Sequence, residues 1–588
     1  MITIKIDNKE IYIPEGISLS LEMSNSLFNT EKIEGEIIFT FDVPAEKNDV
    51  IFAHARYVYV QKKKSYEAII SVGGIEIAKG NLIIQSSKPN TYSCGIVMNP
   101  YPIDFAERLL KDNDYGDQNM LGKEYKPNTI YYTQSGLGYT SKISHLGTVI
   151  EDSLDANSNF KFGMFVDMDF FGNDIQVFGN VVNNFYFVDK YPFWGLFSGL
   201  SPNVPIEYAN SNTYASAIAP QIKLLFLLKS LFRTTPYKLI GSALEDKNID
   251  RIFYQSLRGV LFKHIVLETE IFLTNHCPNL TNAMFINTFC QLFGCTYYLD
   301  SNSKTIEISL AKDLHKTKHI NLSNYLIINE TTIERKDNDR YTYQLDSIVF
   351  QEIDEKNTIP PVASLNTILY FAFAEQNAGK ICFAKDANAY YISVFDTDMQ
   401  RWQFVLFGGN SKTISNKKQD GNQTGTQIKP NAKIPTLIAS FAEIPLKSVN
   451  QPEPSDNQDF DLILNYYVNE QSLATTSWVG RYSYLQPLDA NLPLTVDGEN
   501  SLGQTYAMPY LKILGSHEPV TMQFLLPLHI FLEVRNLLKP QNAPTEMQIR
   551  WIMVNNIKML PIQMKFEFTA GKQFIKAEIK MAKITVEI

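Results

Sequence analysis

Cysteine is scarce in this chain, which has five cysteines among 588 residues and no CxxC pair. An odd, scattered set does not match the dense disulfide framework of small secreted domains. Buried, reduced thiols are the expected state of these side chains. The five are Cys94, Cys277, Cys290, Cys295 and Cys382.

Basic residues are too few for a dedicated nucleic-acid binder. Lys and Arg number 53 against 62 Asp and Glu, which gives a net charge of −9. Neutralising phosphates needs a basic face, so no sequence-specific nucleic-acid partner is expected. The one basic run, Lys62 to Lys64, lies between two strand-like runs, and a solvated hairpin tip is favoured there over a phosphate contact.

Long hydrophobic runs are also missing. The longest nearly unbroken one, Phe524 to Leu532, is interrupted by Pro527 and His529 and falls short of the roughly 18 residues that a spanning helix needs. No membrane-spanning segment is therefore predicted. Residues 2–7 alternate between apolar and polar side chains, as in a half-buried strand and unlike a signal peptide. This pattern predicts that the chain stays in the cytoplasm where it is made.

Catalytic signatures are absent from the sequence. It contains no GxSxG nucleophile turn and no glycine loop that could cradle a phosphate, and its eight histidines are scattered. His315 and His319 are four residues apart but lack the glutamate of a HExxH site, so a solvated loop is favoured. We predict no catalytic and no cofactor-binding residue, and we expect that the protein is not an enzyme.

Two groups of residues have side chains of the types that bind metal ions. His276, Cys277, Cys290 and Cys295 lie within twenty residues of one another, but their spacing fits no structural zinc pattern. The segment from Asp167 to Asp174 bunches oxygen ligands around a glycine but lacks the distal glutamate of a calcium loop, so an Asx-rich turn is favoured. No metal ligand is predicted.

Aromatic residues are abundant and could mark a contact surface. A sugar-binding platform formed by Tyr390, Tyr391 and Trp402 is one interpretation, but on alternating strands such residues are more often core or interface residues. The region 363–410 is accordingly the candidate contact surface if the protein binds a receptor or a glycan.

The composition is that of a folded protein, with 45% hydrophobic and 20% charged residues, and the chain is too long for one hydrophobic core. The predicted fold class is mainly β with a few helices, an α+β protein with several domains: antiparallel sheets or barrels and an inserted α+β segment. The predicted segments are an N-terminal antiparallel β domain (1–100), an irregular β and loop region (101–215), an α+β domain with two helices and a hairpin (216–340), a β-meander insertion with a polar loop (341–435) and a C-terminal β domain (436–588).

Turn signals and alternation place most of the predicted strands. Gly73-Gly74 predicts a two-residue hairpin, because both positions tolerate a positive φ. Alternating residues over 564–588 predict three closing strands. A helix-like stretch runs from Phe105 to Lys111, and the polar segment from Gly408 to Asn431 is predicted to be an exposed loop.

Two helices stand out between these β regions. Gln221 to Phe232 follows Pro220 and is almost wholly apolar. Asn282 to Phe293 is amphipathic, with Thr281 as its N-cap and Gly294 as its C-terminal stop. Each helix runs into an extended segment, which suggests a weak internal duplication. After the second helix, residues 295–299 and 305–310 predict a hairpin.

Three stretches resemble a known family. The segment Asn282–Leu310 (NAMFINTFCQLFGCTYYLDSNSKTIEISL) is similar to a helix and hairpin found in tail hub and baseplate proteins of phages and prophages of Bacteroidetes bacteria. The opening IKIDNKE, SLSLEMSNSLFN and IIFTFDVPAEKND resembles the first domain of those proteins. The end of the chain, from Ile557 to Ile588, resembles their C-terminal sheet. None of the three stretches is a catalytic signature.

The resemblance implies a homotrimeric hub at the tip of a tail, assembled in the host cytoplasm and located in the virion tail. It implies a tail tube or distal tail protein, a spike or fibre and a tape-measure protein as partners, and a conduit through which the genome passes. Two alternatives stay open: a receptor- or glycan-binding tail protein, and a tail-associated cell-wall hydrolase.

Overall fold

The computed structural model extends over the whole chain but describes only part of it. The described residues are 2–6, 9–28, 39–52, 65–97, 105–116, 120–125, 158–162, 165–166, 181–182, 185–188, 191–194, 215–263, 268–300, 303–333, 340–347, 358–359, 368–377, 381–384, 389–396, 400–409, 412–416, 426–434, 436–438, 441–443, 447–448, 462–467, 482–483, 501–570 and 572–584.

The fold is mostly β, with several curled sheets and few helices, which confirms the predicted class. The α-helices in the described residues are short. They span Ala45–Phe52, Leu224–Phe232, Leu273–His276, Asn282–Phe293, Ile368–Gln376, Met508–Ser516 and Leu528–Arg535. No helix in the described residues is long and apolar enough to cross a membrane.

The first six-stranded sheet, called the N-terminal sheet below, is antiparallel throughout. Its hairpin between the third and fourth strands turns at Gly73 and Gly74, with φ of 59° and 83°, as the glycine pair predicts. The strands, in spatial order, are Lys9–Glu10, Ile2–Ile6, Ser65–Val72, Ile75–Lys88, Thr91–Val97 and Phe39–Pro44.

The C-terminal sheet has seven strands and curls strongly. Its two end strands, Lys318–Asn321 and Leu326–Ile333, are successive in the chain and joined by one short turn, so the sheet bends round until its ends share a connection. Ser18–Ser24 joins the sheet beside Ile557–Thr569, and this brings the start of the chain to its end. The other strands are Ile549–Val554, Ile575–Ile584 and His517–Leu526.

A nine-stranded central sheet draws strands from four of the five predicted segments, and the segment boundaries stay a prediction. It is mixed, because Tyr341–Ser347 lies parallel to Thr426–Ile428 and Ala432–Ile434. Its strands are Lys412–Ser415, Tyr341–Ser347, Thr426–Ile428, Ala432–Ile434, Leu462–Tyr467, Tyr482–Ser483, Ile252–Gln255, Gln221–Lys223 and Phe160–Lys161.

The helix and hairpin of residues 282–310 form as predicted. The Thr281 side chain accepts a hydrogen bond from the Met284 N–H at 3.2 Å, and Gly294 ends the helix with a φ of 54°. The hairpin strands, Cys295–Asp300 and Thr305–Leu310, are joined by Lys238–Ile240 in a three-stranded sheet.

Three local predictions are wrong. The predicted helix from Gln221 begins only at Leu224, because Gln221–Lys223 pairs as a strand with Ile252–Gln255. The stretch 105–111 forms turns and a 3-10 turn at Leu110–Asp112 instead of an α-helix.

The third correction concerns the polar segment predicted to be one exposed loop, Gly408–Asn431. It supplies two strands of the central sheet, Lys412–Ser415 and Thr426–Ile428. Ile414 and Ile428 are buried there and give these polar strands their inward face.

Five smaller sheets complete the described structure, and four of them have no separate name here. Their strands are Val181–Val182, Phe165–Val166, Phe441–Glu443 and Thr436–Ile438; Phe185–Val188 and Tyr191–Trp194; Ala215–Ile218, Arg258–Lys263 and Lys447–Ser448; Glu268–Phe272 and Met120–Tyr125. A fifth, which we call the insertion sheet, contains Thr358–Ile359, Ile381–Ala384, Ala389–Asp396 and Arg401–Gly409.

Two hydrophobic cores hold the described structure together. One is shared by the N-terminal and C-terminal sheets and the helix Leu528–Arg535. The other contains the helices Leu224–Phe232 and Asn282–Phe293 with the central sheet and the 295–310 hairpin. Burial of this apolar surface, at roughly 25 cal/mol per Å², is the main force that stabilises both cores.

Candidate functional site

Three distant parts of the chain meet at Asn25 and Ser26. The Asn25 N–H donates to the Ile562 carbonyl at 2.8 Å, and its side-chain amide donates to the Pro561 carbonyl at 2.9 Å. The Ser26 hydroxyl donates to the Tyr297 carbonyl at 2.7 Å and accepts from the Tyr297 N–H at 2.7 Å. The opening segment is thus bonded both to the C-terminal sheet and to the 295–310 hairpin. We call this point the junction.

The local sequence explains how the junction forms. Ser18–Ser24 pairs along its whole length with Ile557–Thr569, and the chain then enters a 3-10 turn at Ser26–Phe28. The Asn25 side-chain oxygen accepts from the Leu27 N–H at 3.1 Å, which is the turn-forming habit of asparagine. Leu27 is fully buried in the core that contains the helices Leu224–Phe232 and Asn282–Phe293.

A buried ion pair joins the same hairpin to the C-terminal sheet. The guanidinium of Arg550 lies 2.6 Å from the carboxylate of Glu307, and their side chains are 1% and 0% exposed. The second carboxylate oxygen accepts from the Ser309 hydroxyl, and the first also accepts from the Gln541 N–H, both at 2.7 Å. Every charge is therefore met by a partner, which a buried pair requires in order to persist.

Arg550 makes further contacts that fix its orientation. It donates to the carbonyls of Leu537 and Lys539 at 2.8 and 2.7 Å, and its guanidinium carbon lies 4.1 Å from the centre of the Tyr298 ring. Beside it, the Lys539 ammonium lies 3.0 Å from Asp300, at the far end of the hairpin. Two ion pairs and a cation–π contact thus connect the hairpin to residues 537–550.

Asp246 forms a second polar centre. It accepts from the Tyr506 hydroxyl at 2.7 Å and lies 3.3 Å from the Lys312 ammonium, which itself lies 4.0 Å from the centre of the Tyr506 ring. Burial alone would raise the pKa of Asp246, but Tyr506, Lys312 and two backbone N–H groups outweigh it and hold the pKa below its ordinary value. The carboxylate is therefore a fixed anion that connects remote parts of the fold.

His276 is fully buried beside a serine, and a histidine beside a serine is the pair that activates a serine nucleophile. Its Nδ1 lies 2.9 Å from the Ser256 hydroxyl and 3.0 Å from the Arg258 carbonyl. Burial lowers the pKa of His276 to about 3. Neither side chain reaches solvent, because His276 and Ser256 are each 0% exposed. A substrate has no access to this pair, so the geometry favours a structural role.

The three cysteines of the first possible metal group lie on different parts of the described structure. Cys277 donates to the Tyr115 hydroxyl at 3.6 Å, Cys290 lies in the helix Asn282–Phe293, and Cys295 begins the following strand. Among the described residues no group of three or more His, Cys, Asp and Glu side chains could hold a metal ion. The segment from Asp167 to Asp174 lies outside the described residues.

His315 and His319 lie on different elements. His315 is in the 3-10 segment Ala311–Lys316, His319 is in the strand Lys318–Asn321, and both side chains are exposed. The run Lys62 to Lys64 lies outside the described residues.

The aromatic residues of the insertion sheet are spread along its hairpin. Tyr390 is paired with Gly408, Tyr391 with Leu406, and Trp402 with Phe395. Tyr391 and Phe395, the residue paired with Trp402, are four positions apart, which is about 13 Å along a strand. The backbone register thus separates these two positions along the hairpin.

Sequence reasoning missed the charged residues of the connections described above. The alternation of Ile306, Ile308 and Leu310 leaves Glu307 on the opposite face of its strand, where a charged residue is normally solvated. The structure buries both faces. The one signal in the sequence is a lone glutamate between isoleucines, and it does not identify Arg550 as the partner.

Comparison with known proteins adds little. No family model matches the chain, and no curated protein matches it. Among solved structures it is similar to the 43 kDa tail protein of prophage MuSo2 from Shewanella oneidensis, with 9% identity, coverage of 99% of this chain and 97% of that one, and a TM-score of 0.33. It is also similar to the tail protein from Neisseria meningitidis MC58, with 8% identity, coverage of 99% and 95%, and a TM-score of 0.32. Scores this low establish neither a fold nor a function.

Proposed function

We propose that the protein is a structural subunit of a phage tail, a hub at the tail tip or baseplate that joins the tail tube to a distal spike or fibre. The observation that carries the proposal is the junction. The three stretches that resemble hub proteins are remote in sequence, yet Asn25 and Ser26 connect the first of them to the other two. Three segments that resembled hub proteins only by chance would not be expected to contact one another in this way.

The contacts around the junction favour a structural protein that keeps a fixed shape. Buried pairs such as Arg550 and Glu307 tolerate little change of geometry, because separating them leaves an uncompensated charge inside the protein. The chemistry found at His276 is closed to solvent. Both features favour a non-enzymatic building block over a hydrolase.

As a hub, the protein would be a homotrimer in the virion tail, with a tail tube or distal tail protein above it, a spike or fibre below it and a tape-measure protein as a further partner. A closed trimer repeats each contact around its axis, so modest interfaces add up. The net charge of −9 suits the wall of a conduit, since a negative lumen repels DNA instead of binding it.

The mass of the purified full-length protein in solution tests the proposal. Light scattering behind a sizing column should give about three times the 67.0 kDa of one chain. Averaged electron micrographs of the same fraction should show threefold symmetry around a central channel. A chain that stays monomeric across a wide range of concentrations, and that does not bind to purified tail tubes, would contradict the hub proposal.

Receptor or glycan binding stays a second candidate because the insertion sheet has its own helix, and its described residues belong to neither hydrophobic core. The helix Ile368–Gln376 packs on its strand Arg401–Gly409, where the Arg401 guanidinium lies 4.0 Å from the centre of the Phe371 ring. Glycan-array binding by the full chain that is lost in Trp402→Ala would favour this candidate. Equal signals from both proteins would oppose it.

A further inference from the structure

We draw no further inference here: the strongest candidate, the exposed side chain of Met547 on the hydrogen-bonded loop of residues 541–548 that precedes the strand Ile549–Val554, is an apolar surface, and nothing in the part of the chain that the structure describes shows what covers it.

Discussion

Arg550 and Glu307 are separated by 243 residues in sequence and by 2.6 Å in space. The strand of Glu307 belongs to the 295–310 hairpin, and that of Arg550 to the C-terminal sheet. The ion pair lies where the two hydrophobic cores meet, because Ile306 and Ile308 belong to one core and Ile552 belongs to the other.

Removing one partner of this pair should destabilise the protein strongly. Arg550→Met leaves the Glu307 carboxylate buried with only two hydrogen bonds, and we expect a loss of about 3 to 5 kcal/mol in the free energy of unfolding. The double variant Arg550→Met with Glu307→Leu should recover part of that loss, because no charge then stays buried. Urea unfolding measures the free energy of both variants. Hydrogen exchange in residues 295–310 shows whether the loss is located in the hairpin.

Glu518→Gln is the control for that series. It removes a partner of Lys583 from an exposed pair 4.0 Å apart, and exposed pairs contribute no more than about 1 kcal/mol. If Arg550→Met and Glu518→Gln had similar small effects, the pair would not connect the hairpin to the sheet in the way described.

His276 predicts a loss of stability in acid. Burial lowers its folded pKa to about 3, whereas an unfolded histidine titrates near 6.5, so the unfolded chain binds the extra proton first. This contribution is fully present above about pH 6.5 and is lost as the pH falls towards 3. The slope of the thermal midpoint against pH, between pH 7 and 4, should therefore flatten in His276→Asn, whose amide can still donate to the Arg258 carbonyl.

The comparison variant for this experiment is His529→Asn, which removes an exposed histidine from another helix. Its pH profile should follow that of the unmodified protein. A His276→Asn profile as steep as the unmodified one would show that other groups carry the acid sensitivity.

The elements that could be predicted from sequence are those set by neighbours in the chain. Thr281 and Gly294 mark the ends of one helix because a cap and a left-handed stop act within one turn. Gly73-Gly74 predicts its hairpin for the same reason. In each case the deciding interaction lies within a few residues.

The features that sequence reasoning missed depend on partners far away. Gln221–Lys223 has the composition of a helix start, but pairing with Ile252–Gln255 makes it a strand, because tertiary pairing outweighs intrinsic propensity. Glu307 is buried because Arg550 reaches it, and the junction forms because Asn25 bonds to Pro561. None of these pairings can be recognised from the local alternation of apolar and polar residues.

Asn25 should be more important to stability than its size suggests. Asn25→Ala removes the bond to the Pro561 carbonyl and the turn contact to the Leu27 N–H in a fully buried place, and we expect a loss of about 1 to 3 kcal/mol. Ser20→Ala, in the preceding strand Ser18–Ser24, is the control and should cost less than about 1 kcal/mol. Denaturant midpoints measure both, and equal effects would contradict the assigned role of the junction.

Replacing Gly294 should disturb the hydrophobic core that contains the helices Leu224–Phe232 and Asn282–Phe293. Its φ of 54° is strained for other residues, and a Cβ atom there would lie 2.6 Å from the Tyr506 carbonyl oxygen and 2.8 Å from the Cβ of Tyr510. Gly294→Ala therefore adds an overpacking cost of about 1 to 3 kcal/mol to a backbone cost of about 1 to 2 kcal/mol.

The variant Gly16→Ala measures the backbone cost without the overpacking cost. The φ of Gly16 is 87°, but no atom lies within 4 Å of the position of an added Cβ, so Gly16→Ala should show the backbone cost alone. Hydrogen exchange of the helix Asn282–Phe293 should rise in Gly294→Ala and stay unchanged in Gly16→Ala, because only the first displaces Tyr506 and Tyr510 from that helix. Equal losses in the two variants would mean that the fold adjusts around Gly294, and the packing between this helix and residues 506–510 would then be looser than the contacts indicate.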